Sequence, residues 1–331
     1  MEKEMMKETK KHFSRLGLQL FVIAILIIIV QMASIFIIAI CGPAVAENDT
    51  LSFLATMLPF YAIGISGILW FLKRHPVAHA TEHPMNFKQW IVAFFMTYAL
   101  MYVSNMIGIF LTQIIGMLKG APVDNVIQDI AMNLHPLAAL LCMVILAPVF
   151  EELVFRKFII DRTAKYGEGI AIFVSALAFG LFHGNLNQFA YAFTLGLFWG
   201  FIYVKTRKIK YTIWLHMVIN FMGSVLPLLI LRPDFVEAMT TIDSSASPAA
   251  FMQLISEHVI DFTLYLVYSL FILILLITGV VLFLVNHKKM HLYPGEIVIP
   301  KGERFRTVIL NAGMLLNMIF WGFQIIIQLF Q

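Results

Sequence analysis

The chain has 331 residues, of which 60% are hydrophobic and only 13% charged, and its net charge is +4. Soluble domains carry about 25% charged residues, so the composition argues against one. The basic residues stand in short clusters between apolar runs, a pattern that orients a membrane protein and does not suggest a nucleic-acid partner.

Crossing a hydrocarbon core of roughly 30 Å takes about 20 apolar residues in a helix. The first uncharged run, 16–46, follows a basic N-terminal segment and ends in Ala44-Val45-Ala46, which resembles a signal-peptidase site. It is far longer than the apolar stretch of about 7–15 residues in a signal peptide, so it reads as a retained first helix. The runs 50–72, 89–118 and 130–150 each fit one further crossing. Between them, His75, His79 and His83 recur every four residues, but Pro76 and Pro84 break any helix that would align them, and a loop is expected rather than a metal site.

The run 169–204 would make a helix of about 54 Å at 1.5 Å per residue, too long for one crossing. The polar stretch Gly184-Asn185-Leu186-Asn187-Gln188 breaks it in the middle, which predicts a tight hairpin of two short helices. Runs 211–231, 262–286 and 307–331 bring the expected total to nine. The connection 232–260 is expected to carry at most a short surface helix near 250–260. Residues 287–306, with Pro294-Gly295 and Pro300, are expected to form turns rather than a domain. Cys41 and Cys142 lie in or beside apolar segments and give neither a disulfide framework nor a cysteine-rich metal site.

The expected fold is therefore an all-α polytopic membrane bundle of about nine transmembrane helices. Of the 23 Lys and Arg residues, 21 fall in the N-terminal segment and in the even-numbered connections, and only Lys119 and Arg232 fall on the opposite side. This asymmetry places the N-terminus in the cytoplasm and the C-terminus outside. Three sections follow: 1–129 with three helices, 130–231 as the core, and 232–331 with an extracytoplasmic loop and two helices.

Ionisable residues inside membrane helices cost about 2.5–3.5 kcal/mol on insertion scales, so each is a functional candidate. Here they collect in helices four to seven: Glu151, Glu152, Arg156, His183 and His216. Glu152 and Arg156 are four residues apart and share a helix face, which allows a buried ion pair and leaves Glu151 free of that partner. Phe179 and His183, and His216 and Asn220, have the same spacing, so each pair presents one stripe. A free carboxylate, two imidazoles and an amide converging from three helices suit hydrolysis, with a base to activate water and donors to hold an oxyanion.

Glu151-Glu152-Leu153-Val154-Phe155-Arg156 resembles the E-E-x-x-x-R motif of the CAAX protease and bacteriocin-processing (CPBP, or Abi) family. Phe179-Gly180-Leu181-Phe182-His183 and His216-Met217-Val218-Ile219-Asn220 resemble its F-x-x-x-H and H-x-x-x-N motifs, in the same order. The resemblance covers about residues 130–225. It implies an intramembrane endopeptidase acting on a peptide or membrane-anchored protein, with a catalytic core in helices four to seven. Both a zinc mechanism and a metal-free glutamate mechanism have been discussed for the family. The zincin motif is absent, and a zinc reading would draw its ligands from His183, His216 and Glu152. The reading favoured here has no cofactor: Glu151 and His183 activate water, and His216 and Asn220 stabilise the oxyanion. Glu152 takes either a direct part or a structural one, and Arg156 and Phe179 support the site. The alternative from another class is a non-catalytic immunity or sorting factor that keeps the motifs structurally.

Overall fold

The computed structural model describes residues 2–77, 81–123, 134–241 and 247–330, and among these the regular structure is entirely helical. The chain is an integral membrane protein built as an all-α bundle. Among the described residues, seven helices are long and apolar enough to cross a membrane: α1 (Glu2–Cys41), α2 (Asp49–Arg74), α3 (Phe87–Lys119), α4 (Pro136–Tyr166), α7 (Ile209–Ile230), α10 (Val259–Asn286) and α12 (Ala312–Phe330). The other two expected crossings are the hairpin arms, α5 (Glu168–Phe182, 15 residues) and α6 (Leu186–Thr206, 21 residues).

The hairpin turns where its polar residues predict. Gly184 supplies a positive φ of 64°, and the Asn185 side chain caps α6 by accepting from the Gln188 N–H at 2.8 Å. Lipid gives helices little hydrophobic reason to associate, so close approach through small residues matters. A Cβ on Gly196 of α6 would press on the backbone of Ala176 in α5. Thr112 of α3 meets Asn187 of α6 at 2.8 Å, and the Trp199 indole N–H donates to Thr97 of α3 at 3.3 Å.

Helix α4 runs unbroken from Pro136 to Tyr166, past Arg156. The sequence counts Arg156 among the cytoplasmic charges. The structure corrects this, because its side chain is completely buried within the bundle. Continuation of α4 also sets the depth of the site. From Tyr166 back to Glu151 is 15 residues, and from Glu168 forward to His183 is 15 more, so both lie about 22 Å from the same helix end. The antiparallel pair α4–α5 thus brings a carboxylate and an imidazole to one level.

Two π-helical turns of α4, Leu140–Leu146 and Leu153–Ile160, flank Glu151 and Glu152. In a π turn each N–H reaches five residues back, as Ala147 does to the Cys142 carbonyl. The next residue, Pro148, has no N–H, so the Met143 carbonyl loses its backbone donor. Asn220 Nδ2, from α7, donates to it at 2.8 Å. The same device recurs in α7: after the π turn Phe221–Val225 comes Pro227, and the Tyr268 hydroxyl of α10 donates to the Met222 carbonyl at 3.4 Å.

Outside the core, α8 (Pro233–Thr241) and α9 (Pro248–Glu257) lie in the connection expected to hold one surface helix. Asp261, just before the apolar run 262–286, enters the first turn of α10, where Arg232 binds it through two nitrogens at 2.9 and 2.6 Å. His75 ends α2 with its ring 4.6 Å from that of Phe71, and the described residues 75–77 and 81–86 are not helical. His79 lies outside the described residues. The segment after α10 consists of turns, with the short helix α11 (Arg304–Val308) leading into α12.

Candidate active site

The residues singled out by the motifs meet where α4, α5, α6 and α7 pack. Glu152 lies at the centre. Its Oε2 is 3.1 Å from Arg156 Nε and its Oε1 is 3.1 Å from His216 Nδ1, and both glutamate and arginine are fully buried. The pairing expected from i,i+4 spacing is present. A carboxylate can only accept, so Nδ1 of His216 carries the proton and its Nε2 is left to face Glu151 Oε2 at 3.6 Å.

Glu151 differs from its neighbour in what it touches. Its Oε2 is shielded from solvent but has no hydrogen-bond partner among the described residues. One face of α4 therefore holds an ion-paired glutamate, and the residue just before it offers an unengaged carboxylate oxygen. His183, at the C-terminal end of α5, donates from Nδ1 to the Phe179 carbonyl at 2.8 Å. That bond fixes the tautomer and leaves Nε2 with a free lone pair. Both histidines are thus held by Nδ1 and present a basic Nε2.

Phe179 sits between the two imidazoles, with ring centroids 5.0 Å from His183 and 5.8 Å from His216. It also packs beneath the Arg156 guanidinium, whose carbon is 4.5 Å from the ring centre. Asn220 is the residue whose surroundings differ most from expectation, because its amide is turned to the Met143 carbonyl. Asn220→Ala should therefore lower stability by about 1–3 kcal/mol through an orphaned carbonyl, read as earlier thermal unfolding in detergent. Unchanged unfolding would show that water serves Met143 equally well.

Two aromatic residues were missed in the sequence. Trp199 is fully buried, tilted against His216 at 4.5 Å and placed 5.5 Å from the Arg156 guanidinium carbon. Tyr191 lies 6.3 Å from the His183 ring, and its hydroxyl accepts from Gln188 Nε2 at 2.7 Å, which leaves its own proton free to donate. Nothing in a chain that is 14% aromatic separates Trp199 from its neighbours. Tyr191 had a faint signal, one helical turn beyond the polar break.

Zinc would need three good protein donors. Glu152 is engaged by both Arg156 and His216, and among the described residues no group of three or more His, Cys, Asp or Glu side chains is placed to hold a metal ion.

Residues 133–222 match the family described as type II CAAX prenyl endopeptidase Rce1-like, a stretch that takes in every one of these side chains. Over this stretch the chain resembles the Rce1-like family. That bears out the CPBP resemblance read from the three motifs. Among curated proteins, the membrane-embedded CAAX protease MroQ of Staphylococcus aureus (strain USA300) is 29% identical over 151 residues, 43% of this chain and 60% of that one. YdiL, a membrane protein of Bacillus subtilis (strain 168), is 29% identical over 80 residues, 23% of this chain and 32% of its own length. The chain thus spans about a third of the one relative and 60% of the other. No solved structure matches it. The matched stretch begins just before α4 and ends in α7, so α1–α3 and α8–α12 stand outside it.

Proposed function

We propose that this protein is an intramembrane endopeptidase that hydrolyses a peptide bond of a membrane-associated protein or peptide by a metal-free glutamate mechanism. The observation that carries this reading is the contrast between the two adjacent glutamates: Glu152 is tied to Arg156 and His216, while Glu151 Oε2 is unpartnered beside an imidazole Nε2. Glu151, aided by His183 Nε2, takes a proton from water as the oxygen attacks the scissile carbonyl. His216 acts as an imidazolium here: its Nδ1–H stays on Glu152, its basic Nε2 takes up a second proton, and that N–H donates to the oxyanion, while Asn220 keeps α7 seated against α4 with one amide hydrogen left to assist. The proton held by Glu151 passes to the departing amine, and the peptide bond breaks. Membership of MroQ among the relatives, named a CAAX protease, supports a membrane-anchored substrate.

The test compares the membrane proteomes of cells that carry this protein or its Glu151→Gln copy. Uncleaved substrate should accumulate only with the glutamine copy. Identical proteomes, with the protein's biological effect intact, would favour the immunity or sorting reading. Purified protein should keep its activity after exhaustive 1,10-phenanthroline treatment. Loss on chelation with recovery on adding zinc would make His183 and His216 metal ligands.

The proposed orientation has the N-terminus in the cytoplasm. In intact cells, a cysteine at exposed Gln253 in α9 should react with an impermeant maleimide, and one at exposed Lys301 should react only after permeabilisation. The reverse pattern would invert the topology.

A further inference from the structure

Away from the candidate active site, a groove of about 640 Å³ opens between the first turns of α5 and the segment 292–309. Its walls are apolar, formed by Ile170, Phe173, Leu292, Val298 and Phe305, and Arg304 is the charged residue that lines it. The floor is firmly built. The Ile297 N–H donates to the Lys165 carbonyl at 2.9 Å, and the Glu168 N–H donates to the Tyr293 carbonyl at 3.1 Å. The Tyr293 N–H returns a bond to the Glu168 carboxylate at 2.8 Å, and Lys205 pairs with that carboxylate while lying 4.2 Å from the centre of the Tyr293 ring. Gly295 passes so close to Lys165 and Gly167 that a Cβ there would overlap their backbone.

The rim is positive. Residues 287–306 hold five Lys and Arg against Glu296 and Glu303. Arg304 donates through Nε to the Ile299 carbonyl at 3.2 Å, which fixes the guanidinium and leaves its terminal nitrogens without a partner among the described residues. Lys301 and Arg306 are exposed and likewise unpaired among the described residues. Phe173, Leu292, Val298 and Phe305 stay exposed in the same place. An apolar trough that runs into an unneutralised arginine, where transmembrane helices meet a charged loop, matches one chemistry: an acyl chain ending in a phosphate.

We propose that this groove binds an anionic phospholipid, with an acyl chain along Ile170, Phe173, Leu292, Val298 and Phe305 and the phosphate on Arg304. The proposal stands independently of the protease reading, since none of these residues touches the motif side chains.

The experiment is native mass spectrometry of the delipidated full-length protein, titrated with phosphatidylglycerol or phosphatidylcholine. One phosphatidylglycerol should be retained in preference to phosphatidylcholine. Arg304→Gln should weaken that preference about five-fold, the scale of one cation at a membrane surface, and Arg304→Lys should largely keep it. Lys301→Gln, on an exposed turn, provides a second charge variant that leaves the fold intact and should also reduce the preference. Gly169→Phe, whose Cβ would lie 3.6 Å from the Leu292 side chain, should fill the trough and abolish tight retention of either lipid. Glycerol phosphate should not displace the bound lipid. Equal retention of the two lipids by the unaltered protein, or an intact preference in both Arg304→Gln and Lys301→Gln, would overturn the proposal. So would displacement by glycerol phosphate, which would mark a simple phosphate site.

Discussion

Glu151→Gln is expected to lower the rate of peptide hydrolysis by about 10²-fold or more while substrate still binds, the scale of general-base catalysis. Glutamine keeps the size of the side chain and can still accept a hydrogen bond, but it cannot take up a proton. Glu151 Oε2 has no competing partner among the described residues, so the substitution breaks no bond that holds the fold. Unfolding temperature should therefore stay near that of the unaltered protein, which separates this variant from those at Glu152 and Arg156. His183→Ala should cause a loss of similar size, because its Nδ1 is spent on the Phe179 carbonyl and only Nε2 remains for the water. If the two act on the same water, the double variant should be scarcely slower than either single one. Multiplicative losses would mean that the two residues serve different steps, and full activity of Glu151→Gln would remove it from the role of base.

Much of this site could be read from the chain because charge is so expensive in a membrane. Few sites tolerate it, and those sites lay at helical spacing in helices four to seven. The hairpin was legible for a related reason: 36 uncharged residues cannot form one straight crossing, and Gly184 to Gln188 was the sole polar break. The role of Asn220 was not legible. It depends on a π turn placing the donorless Pro148 opposite the Met143 carbonyl, and hydrophobic pattern does not reveal whether a helix winds at 3.6 residues per turn or more loosely. Arg156 was misplaced for a different reason. By composition it begins a basic connection, but α4 continues for ten residues beyond it, and the arginine is drawn inward by Glu152, Phe179 and Trp199. Its position is decided by Glu152 one turn away and by aromatic partners from two other helices, α5 and α6.

Arg156→Ala should destabilise the folded protein by about 3–5 kcal/mol, the usual cost of stripping one partner from a buried ion pair. The environment gives little room for compensation. Both side chains are fully buried, so water cannot easily replace the guanidinium, and the Glu152 carboxylate would be left with His216 at 3.1 Å and without its cation. Truncation would also open a space under Phe179 and Trp199, whose rings lie 4.5 and 5.5 Å from the guanidinium carbon. Arg156→Lys should recover part of the loss, because an ammonium can reach Glu152 but cannot stack as a plane on those rings. The decisive comparison is the double variant Glu152→Leu/Arg156→Met. Replacing a whole buried pair with apolar side chains removes the charges together, so thermal stability in detergent should return towards that of the unaltered protein. Activity should not return with it, since His216 Nδ1 would have lost the acceptor that holds its Nε2 towards Glu151. A double variant both stable and active would reduce Glu152 to a counter-ion for Arg156. An Arg156→Ala protein as stable as the original would show instead that the arginine does not sit in a buried pair, and the assembly of α4, α5 and α7 around Glu152 would have to be abandoned.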